Sequence, residues 1–103
     1  MNLRGTLPTL ILEAIEHRPD HGYSIAQRIK ERSSGVLDFK EGTLYPALHK
    51  LELESAVESY EGVEKGRTRR YYRITKTGRA ELAKGRKEWS ELSSAVSLIL
   101  KQA

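Results

Sequence analysis

A chain of 103 residues with 38% hydrophobic and 31% charged residues has the make-up of one globular domain, large enough for a core but modest in stability. It contains no cysteine, which removes disulfides, thiolate nucleophiles and zinc–thiolate sites. The net charge is +4, yet Lys65 to Lys87 holds ten bases against the single acid Glu81, so that stretch carries +9 and the remainder −5. A basic segment on a mildly acidic body is an electrostatic footprint for a polyanion; an ordinary solvated face is the other reading, and charge alone leaves the two level. No apolar run nears membrane-spanning length, and no signal-like apolar segment follows the start, so a cytoplasmic protein with no membrane partner is expected.

Leu3, Leu7, Leu10, Ile11, Ala14 and Ile15 recur at helical spacing and predict a first helix over residues 4–17, with Pro8 in its first turn. The run from His17 to Gly22 breaks it. A second helix is predicted over residues 22–33, with Tyr23, Ala26 and Ile29 inward, Ile25 beside them, and Gln27, Arg28, Lys30, Glu31 and Arg32 in water. Val36 to Phe39 is a candidate minor strand. A third helix begins near residues 41–43, because Pro46 belongs in or near a first turn, and ends near Ser55. Leu44, Leu48 and Leu51 at i, i+4 and i+7 form its core face.

The period then changes. Val57 to Glu61 and Arg69 to Thr75 read as strands joined by a hairpin loop over residues 62–68. In the second strand Tyr72 and Ile74 are assigned to packing, while the face taken by Tyr71 stays open. Thr75 is a natural N-cap for a last helix over residues 76–100. Leu82, Trp89, Leu92, Val96 and Ile99 form an a/d-like seam along it, with a gap at Gly85. The order helix, helix, helix, hairpin, helix predicts a mainly α fold with a small β-hairpin: a winged helix-turn-helix followed by a long C-terminal helix.

Four groups of residues carry a family resemblance over nearly the whole chain. They are Arg4-Gly5-Thr6-Leu7; His21-Gly22-Tyr23; Glu41-Gly42-Thr43-Leu44-Tyr45-Pro46-Ala47-Leu48 with Leu51-Glu52; and Arg70-Tyr71-Tyr72-Arg73-Ile74-Thr75 with Gly78-Arg79 and Leu82. Together they resemble PadR-type transcriptional regulators, in the short form with a single C-terminal helix. The resemblance implies a DNA-binding unit over residues 1–75 and a dimerisation helix over residues 76–103, in one compact body. It also implies a homodimer on an inverted-repeat operator, usually acting as a repressor. One departure stands at Ser55, where the family often has glycine. Glycine suits a left-handed helix end, so serine points to another cap geometry.

On this reading the third helix enters the major groove, and Thr43, Tyr45, Pro46, His49 and Lys50 are its DNA-facing candidates. For Tyr45 a packed ring with its hydroxyl at the surface is the competing role. Lys65-Gly66-Arg67 sets two cations about a flexible glycine at the hairpin tip, and Arg69 extends the charge; an ordinary exposed loop is the bland account. Leu82, Trp89, Leu92, Val96 and Ile99 are the dimerisation candidates, since a long terminal helix has little monomer surface to cover it. Trp89 is also the candidate site for a small aromatic effector, a partner class the resemblance brings with it. Neither an enzyme, a cofactor nor a metal is expected. His17 and His21 are separated by the helix-breaking Pro19, and no nucleophile elbow or phosphate-binding glycine loop occurs. A winged-helix module that binds protein without DNA is the alternative function, and the cations of the hairpin argue against it.

Overall fold

The computed structural model describes residues 3–101; the side chains of Leu3 and Arg4, part of the first apolar stripe and the first motif, lie outside the described residues. In chain order the elements are α1 (Leu3–Ala14), β1 (Asp20–His21), α2 (Gly22–Arg32), α3 (Glu41–Leu53), β2 (Val57–Glu64), β3 (Arg67–Ile74) and α4 (Lys76–Leu100). The three strands form an antiparallel sheet in the order β1-β3-β2. Helices α1, α2 and α3 pack on one another, and α4 crosses α1. The architecture is the mainly α, winged helix-turn-helix arrangement expected.

The core is the meeting of the predicted stripes. Leu7, Ile11 and Ile15 of the first stripe join Ile25 and Ile29 of α2, Leu44, Leu48 and Leu51 of α3, and Tyr72 and Ile74 of β3. Leu12, absent from the predicted stripe, is also buried, because α1 is covered from more than one side. Tyr23 corrects the reading of α2. It is 57% exposed and accepts a hydrogen bond from Gln27 Nε2 at 3.0 Å, while Gly22 takes the inward position.

Several boundaries differ from expectation for identifiable reasons. α1 stops at Ala14, where the next turn tightens to an i→i−3 bond from Glu16 N–H to Glu13 O, three residues before Pro19. Pro8 and Pro46 are each the sixth residue of their helix, not first-turn residues. In α3 this removes one ladder donor, the partner of the Gly42 carbonyl, and Gly42 is exposed, which leaves that carbonyl to solvent. Val36 to Phe39 forms no strand; the third strand is instead the polar pair Asp20–His21, registered against Tyr72 and Tyr71.

Ser55 also overturns the cap expectation. It adopts the left-handed conformation itself, with φ of 63°. Its N–H donates to Glu52 O at 3.0 Å and the Ala56 N–H to Leu51 O at 2.9 Å, the pair of bonds that defines a Schellman end. Ser34, at φ 54°, closes α2 the same way, with Gly35 N–H to Lys30 O at 2.7 Å. Serine accepts the steric cost there because the alternative is a set of orphaned helix carbonyls.

At α4 the Thr75 cap holds as expected: its Oγ accepts from the Gly78 N–H at 3.0 Å. Gly85 is no gap. It lets α1 approach so closely that any Cβ there would strike the Thr9 hydroxyl. Next to it Arg86 Nε donates to Glu13 at 2.9 Å and its Nη2 to Glu16 at 2.8 Å. The two carboxylates raise the Arg86 pKa, and Arg86 in turn lowers that of Glu16. Beyond this clamp, residues 86–100 are exposed except for the half-buried Ser93.

Candidate nucleic-acid interface

The burial of Leu44, Leu48 and Leu51 turns the opposite side of α3 outward. Tyr45, Pro46, His49 and Lys50 are all exposed on it, and Thr43 is half-buried. Tyr45 is packed and still reaches the surface. Its ring lies over Gly22, where an added Cβ would come within 2.7 Å of the hydroxyl, yet the residue stays 41% exposed. Glycine at position 22 is therefore the condition for seating Tyr45 between α2 and α3.

The hairpin is longer and its turn shorter than expected. β2 and β3 pair through Glu64↔Arg67, leaving only Lys65 and Gly66 in the turn, with φ of 51° and 77°. Two successive positive φ values define the turn that matches the twist of a two-stranded ribbon. Lys65 thus stands at the tip with Arg67 immediately beside it, and both are exposed. Arg69 is half-buried, opposite Gly62, and its Nε is buried without a hydrogen-bond partner among the described residues.

Strand register changes the electrostatic reading. Glu58, Glu61 and Glu64 stand directly opposite Arg73, Arg70 and Arg67. Over residues 57–74 five bases meet three acids, so the hairpin carries +2. Glu58 and Arg73 form an ion pair at 3.7 Å, and the Arg73 guanidinium lies 4.9 Å from the centre of the Tyr60 ring. Arg70 Nη1 donates to Ser59 Oγ at 2.6 Å, and Ser59 donates to Glu52, which joins the end of α3 to the sheet. α3 and the hairpin are thereby held as one unit.

The hairpin face that carries Tyr60 and Arg73 is fastened to the start of α2 by residues that no sequence signal marked as functional. Tyr71 stacks on Tyr60 with ring centres 5.7 Å apart and meets the edge of His21 at 5.5 Å. Gly62 makes room, since a Cβ there would fall 2.7 Å from the Tyr71 ring. Burial raises the pKa of both Tyr71 and Tyr72, with nearby Glu64 adding to the effect at Tyr71, so both hydroxyls stay neutral. Asp20 accepts from Ser24 Oγ at 2.6 Å and from the His21 N–H at 2.9 Å. His21, 4% exposed, caps α2 through Nδ1 and reaches Glu64 through Nε2.

The proposed seam on α4 divides in two. Leu82 is 1% exposed within the chain's own core, which corrects its assignment to a dimer contact: a side chain already packed against α1 and the sheet has no surface left to offer. Trp89, Leu92, Val96 and Ile99 lie on the exposed part, at 44%, 43%, 39% and 69%. Among the described residues no group of three or more His, Cys, Asp or Glu could hold a metal ion, and no helix is long and apolar enough to cross a membrane.

A three-helix body carrying a two-stranded wing, with one helix displayed beside that wing, defines the winged helix-turn-helix class. Residues 11–84 match the model of the transcriptional regulator PadR-like family. The chain is 38% identical over 88 residues to the transcriptional regulator Rv3488 of Mycobacterium tuberculosis, covering 82% of this chain and 79% of that protein. Among solved structures, a transcriptional regulator from Clostridium thermocellum matches with a TM-score of 0.87 at 31% identity, over 95% of this chain and 93% of that one. A PadR family transcription regulator from Clostridium difficile matches with a TM-score of 0.81 at 32% identity, over 93% and 99% of the two chains. The chain belongs to the PadR-like family, and it is a transcriptional regulator and not an enzyme.

Proposed function

We propose that this regulator binds an inverted-repeat operator as a homodimer and represses transcription in the cytoplasm. The observation that carries the reading is the exposed face of α3, with Tyr45, Pro46, His49 and Lys50, held as one unit with a hairpin whose tip bears Lys65 and Arg67. Tyr45, Thr43 and Lys50 suit phosphate oxygens and fix register, while His49 and Lys50 reach for base edges. Lys65, Gly66, Arg67 and Arg69 lie along the backbone or the minor groove. Residues 1–75 form the DNA-binding unit, and α4, in residues 76–103, pairs with its copy through Trp89, Leu92, Val96 and Ile99. Selection of bound sequences from random duplex DNA tests the reading and yields the operator; recovery of no enriched sequence would refute it.

Arg67→Ala is expected to weaken operator binding by about 3–10-fold, to reduce the salt slope by about one, and to leave the melting temperature unchanged. Arg67 is exposed and makes no ion pair among the described residues, so its loss removes a contact and no core. Equal binding by variant and parent would remove the wing from the interface.

Trp89 supports one further partner class. Its half-exposed ring on the α4 stripe offers a flat face for a planar, apolar effector between subunits. Such a ligand acts only through unequal affinity for the DNA-competent and incompetent forms. A titration of aromatic compounds that quenches Trp89 fluorescence and lowers operator affinity together is the expected result; quenching without change in affinity would leave Trp89 as a packing residue.

A further inference from the structure

Glu64 is the one acid at the wing tip, and its neighbours make its position consequential. It is the strand partner of Arg67, and Arg69 lies one step along the same face, opposite Gly62. Directly opposed residues lie close enough for their side chains to pair, and diagonal ones remain within reach of long side chains. Left to itself, the Glu64 carboxylate would neutralise one of these two arginines. It does neither. Its Oε2 lies 3.2 Å from His21 Nε2, while Arg67 has no ion pair among the described residues and Arg69 Nε has no partner.

The geometry of His21 explains why it wins. Its Nδ1 accepts from the Ser24 N–H at 3.3 Å, which leaves the ring proton on Nε2, aimed at Glu64. The ring is fixed by burial and by the edge contact with Tyr71, so its bond to Glu64 costs little further freedom. Arg67 would have to immobilise a long, exposed side chain to compete.

We infer that His21 is a positioning residue of the wing: it holds Glu64 away from Arg67 and Arg69 and so keeps both guanidinium groups available to the phosphate backbone. The inference rests on the DNA-binding reading above. His21 never touches DNA in this arrangement; it acts by controlling where one negative charge sits.

The test separates this role from the capping role. His21→Asn keeps an N-cap acceptor of a favoured type but is too short to reach Glu64. It is expected to bind the selected operator about 3–10-fold more weakly than the parent, with a salt slope smaller by about one, at an unchanged helix content. Adding Glu64→Gln to this variant removes the charge and is expected to restore parental affinity. A merely structural role for His21 would not be rescued in this way. Glu64→Asp provides the same test with His21 intact, because the shorter carboxylate retracts from the imidazole and keeps its charge beside Arg67. It is expected to weaken binding to a similar extent. Parental affinity in both His21→Asn and Glu64→Asp, or failure of Glu64→Gln to rescue, would overturn the inference while leaving the DNA-binding reading standing. Absence of DNA binding by the parent protein would overturn both.

Discussion

Replacing Gly78 with alanine is expected to destabilise the protein by about 1–2 kcal/mol net, from the upper part of the roughly 1–3 kcal/mol range for forcing a methyl group into a filled site. The added Cβ would overlap the Ala56 carbonyl oxygen and lie 2.8 Å from Ile74 Cγ1. That carbonyl cannot retreat cheaply. It accepts from the Thr75 N–H at 3.1 Å and from Thr75 Oγ1 at 3.0 Å, the bonds that set the start of α4. Helix propensity works the other way by about 1 kcal/mol, since alanine is preferred to glycine within a helix, and the clash outweighs it. Gly85→Ala in the same helix is the control. There the obstacle is the Thr9 side chain, which can rotate, so the loss is expected to be smaller. Urea denaturation at equal protomer concentration measures both; equal midpoints for Gly78→Ala and parent would show that the junction of α3, β3 and α4 is looser than described.

Leu92→Asp is expected to convert a micromolar dimer to monomer and to lower operator affinity by at least about 100-fold, roughly 3 kcal/mol or more. Leu92 lies midway along an apolar stripe of α4 that the chain's own core does not cover, between Trp89 and Val96. Two copies aligned along the stripe would bury it, and a carboxylate in that contact would be desolvated without a partner. The DNA effect follows from geometry, because a monomer reads one half-site and the dimer two. The α1–α4 clamp at Gly85 and Arg86 makes the pairing carry orientation as well as affinity. Sedimentation velocity and operator titration check the two halves separately. A parent that sediments as a monomer at micromolar concentration, or a variant that remains dimeric, would remove α4 from this role.

Much of this architecture was legible wherever a local rule and the tertiary context agree. The spacing of Leu44, Leu48 and Leu51 set the buried face of α3 and, by subtraction, its outward face. Thr75 marked the start of α4 because a side-chain oxygen there can close the first turn. The failures have one common cause: a neighbour that sequence cannot show. β1 is a polar pair with no period of its own, and it is a strand only because β3 lies alongside. His21 stands outside the usual capping residues, so its double role depended on Glu64 arriving from another element 43 residues away. Leu82 continued the helical stripe of Trp89 and Leu92, and periodicity carries no mark of where an internal core ends and a free surface begins. Gly62 reads as a loop signal in the sequence, whereas in the fold it admits the Tyr71 ring inside a continuing strand.

The register that sets Glu58 and Glu61 opposite Arg73 and Arg70 has a bearing on how such a protein would find its target. A wing of unopposed cations would grip every stretch of duplex alike, since attraction to the phosphate backbone is blind to sequence. A genome offers on the order of 10⁶–10⁹ competing sites, so occupancy at one operator depends on how quickly the wrong ones are released. With Arg70 and Arg73 faced by carboxylates of the neighbouring strand, Lys65, Arg67 and Arg69 near the tip are left to add to that indiscriminate hold. On the proposed reading, residence on random sequence would stay short and discrimination would fall to the outward face of α3.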